Sequence, residues 1–135
     1  MRKLLLCFFI FIVSVPAFAT IEYQAILNKC DETAQEDKKN AQSTVQMVQV
    51  INEHKNCYKK VATKIIDAEY AQNKQQMESE FDKFVHLSSE LTYSMQYPDN
   101  CAPNCGTIVG LNAASSELEI IKAYVQQLLY VVSPE

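Results

Sequence analysis

At 135 residues the chain is one domain's worth of polypeptide, enough for a modest core and no more. Sixteen acidic residues against twelve basic ones give a net charge of −4. With no basic run, that balance excludes nucleic acid and anionic lipid as natural partners and suits a cationic one, or simply solubility.

The first nineteen residues have the three parts of a secretory signal peptide. Arg2 and Lys3 form a positive n-region, and Leu4 to Val15 is apolar apart from Ser14. Pro16 breaks the run, and Ala17-Phe18-Ala19 places small residues where a signal peptidase reads. Spanning a bilayer takes about 20 apolar residues, so a cleaved leader is expected over 1–19 rather than an anchor. Cys7 leaves with it. Cleavage after Ala19 leaves 116 residues, 20–135, as a single domain with 10 basic and 16 acidic side chains, a net −6. No other stretch is apolar enough to cross a membrane, and the expected location is periplasmic or secreted.

Between Thr20 and Tyr97 there is neither glycine nor proline, and Gln, Lys, Glu, Ala and Met abound. One helix over those 78 residues would be about 117 Å long with nothing to cover its apolar side. The chain must fold back. Polarity is densest and helix preference weakest at Asn40 to Thr44 and around Gln72 to Gln76. A first helix is therefore expected from about Ile21 to Lys39, with Tyr23, Ile26, Leu27, Cys30 and Ala34 as its stripe. The second runs from Val45 to Ala71, with Val45, Val48, Ile51, Tyr58, Val61, Ala62, Ile65 and Ile66 recurring at three and four. A third, from Gln76 to Met95, turns Met77, Phe81, Phe84, Val85, Leu91 and Met95 inward, unless it continues the second as one rod. Pro98, Pro103, Gly106 and the asparagines between them mark an irregular loop over 97–110. A last helix follows from Asn112 to Val131, facing in with Leu118, Ile121, Val125, Leu128 and Val132. Ser116 and Glu119 would form a capping box if the helix began there. No period-two stretch argues for a sheet. The expected fold is all-α: a three- to four-helix bundle, or a long helical hairpin, stapled by disulfides.

Four cysteines remain after the leader: Cys30, Cys57, Cys101 and Cys105. In an exported domain they read as two disulfides, with three possible pairings. A hairpin turning near Ser43 puts Cys30 and Cys57 about equally far from the turn, which favours Cys30–Cys57 with Cys101–Cys105. A redox or metal role for Cys101-Ala-Pro-Asn-Cys105 is disfavoured because thioredoxin-like sites space their cysteines by two residues and no histidine follows. His54 and Cys57 share a helix face, but a zinc site needs three or four ligands and the other histidine, His86, lies on another helix. His54 is expected at the flank of the apolar stripe and His86 at or near the surface.

The carboxylates Asp31, Glu32, Glu36, Asp37, Glu53, Asp67, Glu69, Glu78, Glu80 and Asp82 are spread along solvated faces, with Glu78 and Asp82 the sort of i,i+4 pair from which an acid–base couple is drawn. The serines lack a glycine-flanked elbow. No catalytic residue, cofactor or metal is expected. Tyr58, Tyr70, Tyr93, Tyr97, Tyr124 and Tyr130 flank apolar faces, either lining a core edge or marking an interface.

Val50 to Tyr70, VINEHKNCYKKVATKIIDAEY, resembles the core motif of the lysozyme-inhibitor LprI-like family of exported bacterial proteins. Cys57, Asp67 and Tyr70 occupy the matching positions, with Cys30 upstream. The acidic step is Ile66-Asp67 rather than Ala-Asp, one residue further along, and the family's later Trp segment has no counterpart. The resemblance implies a helical envelope protein that binds or inhibits a cationic, cell-wall-degrading enzyme. Taken together, the sequence reads as an exported, non-enzymatic binding module for a protein partner in the cell envelope. The alternative is a structural or assembly subunit of an envelope or secretion complex, with self-association open in either case.

Overall fold

The computed structural model describes the backbone of residues 16–96 and 106–132, and side chains for 20–95 and 106–132. Those residues form four α-helices and one short 3₁₀ turn: α1 (Pro16–Asn40), α2 (Thr44–Glu69), the turn Ala71–Asn73, α3 (Lys74–Gln96) and α4 (Gly106–Val132). The protein is an all-α bundle. Expected cleavage after Ala19 falls in the first turns of α1, ahead of its first core residue, Tyr23.

Each break has a local cause. Ser43 sits in extended backbone and accepts from the Gln46 N–H, while the Gln46 side chain accepts from the Gln42 N–H. This reciprocal cap satisfies two donors that a helix start would otherwise leave open. At the other end, Tyr70 leaves helical geometry and donates back to the Ile66 carbonyl; Asn73 then donates to Tyr70. The second helix thus stops two residues before the expected Ala71, and α2 and α3 are not one rod. Lys74 spans the turn to Asp67 at 2.9 Å, and that carboxylate raises the lysine's pKa.

The start of α4 departs furthest from expectation. A loop is expected through Gly110, but α4 already begins at Gly106 and carries Gly110 in its interior. Gly106 has φ 62°, a left-handed value where other residues are strained, so it serves as the helix opener rather than a loop residue. Ser116 consequently lies about three turns inside α4 and caps nothing. The first turn of α4 is held beside that of α2, where Thr44, Val45, Val48 and Thr107 line a shallow groove. An interior glycine costs about 1 kcal/mol, which is set against the α2–α4 interface, the largest in the bundle.

α2 and α4 run parallel and share the largest interface, with α1 laid mainly on α2 and α3 mainly on α4. Among the described residues, α1 and α3 bring no Cα atoms within 8 Å of each other. The core is one cluster in which Leu27, Val61, Ala62, Ile65, Ile66, Ile121 and Val125 are almost wholly buried. α3 joins it through Phe81 and through Phe84, which stacks on Tyr124 with ring centres 4.6 Å apart. Cys30 and Cys57 form a disulfide between α1 and α2, as the hairpin argument favoured; Cys101 and Cys105 lie outside the described residues.

Three residues expected in the core are exposed: Val45, Leu91 and Met95. On α3 the inward positions are instead taken by Ser88 and Thr92, both buried, each donating to a carbonyl of its own helix. Hydroxyls satisfied within their own helix need no partner across the interface, so they can be buried where a larger residue would hold α3 and α4 apart. The apolar residues then face out.

Opening the Cys30–Cys57 loop of 27 residues should lower stability by about 3–4 kcal/mol on the chain-entropy account. Urea unfolding of a Cys30→Ala/Cys57→Ala variant checks this. Ile65→Ala, at a site with no exposure, should cost about 2–5 kcal/mol in the same assay.

Candidate functional site

The densest chemistry among the described residues lies where α1, α2 and α4 meet, beside the disulfide. On α1, Asp31 follows Cys30, so its carboxylate emerges at the edge of the buried stripe. On α2, His54 and Tyr58 continue the stripe begun by Ile51, at steps of three and four, and all three are buried. On α4, Lys122 follows the wholly buried Ile121.

These placements converge on one carboxylate. His54 Nε2 lies 2.7 Å from Asp31 Oδ1, Lys122 Nζ lies 3.1 Å from the same oxygen, and the Tyr58 hydroxyl donates to both oxygens at 3.1 Å. Lys122 also stands 5.2 Å above the Tyr58 ring, and the His54 ring meets that of Tyr58 edge-on. Partial burial pulls the Asp31 carboxyl upward, but hydrogen bonds from Lys122 and His54, the Lys122 charge and the Tyr58 hydroxyl together hold it below its ordinary value. Burial, then the Asp31 charge and hydrogen bond, push Tyr58 upward, so the phenol keeps its proton. Burial dominates at His54 and lowers its pKa despite Asp31. An ionised carboxylate only accepts, so the neutral ring carries its proton on Nε2 and leaves Nδ1 bare. That nitrogen is buried and has no partner.

One turn away, Lys55 of α2 meets Glu117 of α4 at 2.8 Å, with side chains only 12% and 8% exposed. Half-buried Lys59 nearby is lowered by burial and then by the Lys55 charge. On the outer side of the α1–α2 seam, Ile26, Cys30, Ala34, Val50, His54 and Cys57 line a cavity of about 170 Å³, with Lys29, Asp37 and Glu53 around it.

An imidazole oriented by a carboxylate is half of an acid–base relay. The other half is not assembled here. The bare Nδ1 has no hydroxyl or thiol against it, and the neighbouring sulfurs are joined to each other. The His54–Cys57 pair is likewise closed to a metal, since the Cys57 sulfur is in the disulfide; among the described residues no group of three or more His, Cys, Asp or Glu side chains could hold one. Nor, among those residues, is any helix long and apolar enough to cross a membrane. The cluster ties three helices together.

His54, expected at the stripe's flank, is inside it. Asp31, expected on a solvated face, is the shared acceptor. His86 is exposed, beside Glu90 at 3.6 Å, and Glu78 and Asp82 stay near solvent. Among the tyrosines, Tyr58 is buried, Tyr70 and Tyr124 are half-buried, Tyr93 and Tyr130 are exposed, and Tyr97 lies outside the described residues. The sequence reading missed Lys55, Glu117 and Lys122. A signal existed for Glu117, which precedes Ile121 and Val125 at steps of four: a charge on the apolar period.

Compared with protein-family models, curated proteins and solved structures, the chain matches none.

A second feature is the outer surface of α3. Leu87, Leu91 and Met95, spaced i, i+4 and i+8, are 64%, 53% and 72% exposed and form an apolar row along the helix. Glu80, Lys83, His86 and Glu90 of the same helix are also exposed.

Lys55→Met should destabilise by about 3–5 kcal/mol, because it strands Glu117 in the interior, whereas adding Glu117→Leu should restore most of the loss. Chemical denaturation of the two single variants and the double one completes the cycle.

Proposed function

We propose that the mature protein is an exported, non-enzymatic helical binding module that recognises a protein partner in the cell envelope, and that the outer row of α3 is its contact face. The row carries the reading. Single exposed leucines are ordinary, but three large apolar side chains aligned over two turns, on a helix whose inner face toward its C-terminal end is lined by Ser88 and Thr92, form a strip that a partner helix or groove can cover. An acidic chain favours a cationic partner, and the resemblance at Val50 to Tyr70 points the same way, toward a cell-wall-degrading enzyme. Export and an oxidising compartment are the setting in which a leader-like N-terminus and the Cys30–Cys57 bond make sense together.

The assembly-subunit reading uses the same strip, buried instead against copies of this chain. Leu87→Ser/Leu91→Ser separates the two. These positions are exposed, so the double substitution should change folding stability by no more than about 0.5 kcal/mol per site. For a binding module, light scattering finds a monomer before and after substitution, and affinity for the partner falls by about tenfold or more. An oligomer that dissociates on substitution turns the reading to an assembly subunit. Titration against a lysozyme tests the enzyme-inhibitor arm: no inhibition at stoichiometric excess retires it.

A further inference from the structure

The cluster at the α1–α2–α4 junction, where His54 and Tyr58 are buried and Asp31 and Lys122 partly exposed, has room for one proton on His54 and no buried partner for a second. Nε2–H is engaged by Asp31 Oδ1 at 2.7 Å. Any further proton must go to Nδ1, which is out of contact with solvent and faces no acceptor among the described residues. The imidazolium so formed would still be drawn to Asp31, but that carboxylate also serves the Lys122 ammonium and the Tyr58 hydroxyl. Two cations would then compete for one oxygen in a site where the ring is only 5% exposed.

The charged groups around the ring do not relieve this. From α1 it feels Asp31 and the repelling charge of Lys38, and from α4 the repelling charge of Lys122. On α2, Tyr58 keeps its proton, with Glu119 of α4 acting on the phenol. Lys29 and Asp37 of α1 and Glu53 of α2 line the outer cavity that His54 also borders.

The mechanical setting makes the consequence local. Asp31–Lys122 is an ion pair between α1 and α4, whose mutual contact is slight compared with that of α1 and α2. The N-terminal half of α1 stands over an open cleft of about 610 Å³ against α4, bordered by Thr20, Gln24, Gln127 and Tyr130. The disulfide lies immediately beside the cluster and holds α1 to α2 whatever happens to the polar contacts.

We propose that Asp31, His54 and Lys122 form an acid-released latch: in mildly acid solution His54 takes a second proton, α1 lets go of α4, and the Cys30–Cys57 bond keeps it tethered to α2. The direction follows from linkage. His54 is held below its ordinary value of 6.5, so its contribution to stability is complete above that pH and is lost as the pH falls below it toward the native-state value. Asp31, lowered from 3.8, keeps its own contribution down to that pH and loses it only below. The interval between 6.5 and 3.8 therefore isolates the histidine.

Amide hydrogen exchange on the oxidised protein, corrected for intrinsic rates, tests the latch at about pH 7.5 and about pH 5. Protection across residues 20–40 should drop about tenfold or more at the acid value while the core of α2 and α4 keeps its protection. In His54→Gln, whose amide donates to Asp31 without titrating, the drop should disappear. The His54 Cε1 proton resonance, followed by NMR in the unsubstituted protein, should titrate with a midpoint below 6.5. A midpoint at or above that value overturns the proposal. So does an identical pH profile in His54→Gln, or loss of protection in α1 and α4 together.

Discussion

A single carboxylate, on Asp31, sets the register of three helices. Apolar stripes alone would allow α1 to slide by one turn along α2 with a similar area buried, because leucine, isoleucine and valine ask only to be covered. A buried histidine, a phenol and an ammonium ask for an acceptor at a fixed place. Asp31 supplies it for His54 and Tyr58 of α2 and for Lys122 of α4, and the disulfide from the adjacent Cys30 allows no other alignment. The Lys55–Glu117 pair repeats the constraint between α2 and α4, where two parallel helices meet without a tight turn between them.

The opposite side of the molecule is built on a different principle. α3 is held by aromatic stacking on Tyr124 at its middle and by small hydroxyl residues toward its C-terminal end, with no charged pair reaching α4 among the described contacts. Ser88 and Thr92 turn their hydroxyls back on their own helix and leave a smooth inner surface. The larger apolar side chains one face around are then free to serve something other than the core. Polar pairing across helices on one side of the bundle and exposed apolar side chains on the other follow from which residues satisfy their own hydrogen bonds.

Much of this arrangement can be read from residue spacing. The long stretch without glycine or proline requires folding back, Ser43 marks the first turn, and the three–four recurrence from Tyr23 to Ala34 and from Ile51 to Ile66 picks out buried positions. Where the reading fails, it fails for a definable reason. Hydropathy sorts residues by type, so His54, Glu117 and Asp31 look like surface residues although they lie on or beside the apolar period; only their pairing makes burial tolerable, and a partner distant in sequence is invisible to periodicity. Leu91 and Met95 were misassigned because α3 has two apolar faces, and spacing cannot say which one meets the bundle. Gly110 looked like a loop residue because its helix-breaking preference is local, whereas the packing of α4 on α2 that overrides it is not.

The separation of α1 from α3 bears on how the two proposed properties relate. Among the described residues their Cα atoms do not approach within 8 Å, so a change in how α1 docks reaches the row Leu87–Leu91–Met95 mainly through α2 and α4. Those two helices share the largest interface and contribute most of the fully buried side chains, so any displacement of α1 must pass through a close-packed interior. Coupling would require a second arrangement of the core around Ile65, Ile66, Ile121 and Val125, all of them wholly buried. On the proposed latch, release of α1 changes what the protein exposes on the α1 side and reaches the α3 strip only if that core rearranges. The proposed acid-sensitive flank and the proposed contact face thus lie on opposite sides of the parallel α2–α4 pair.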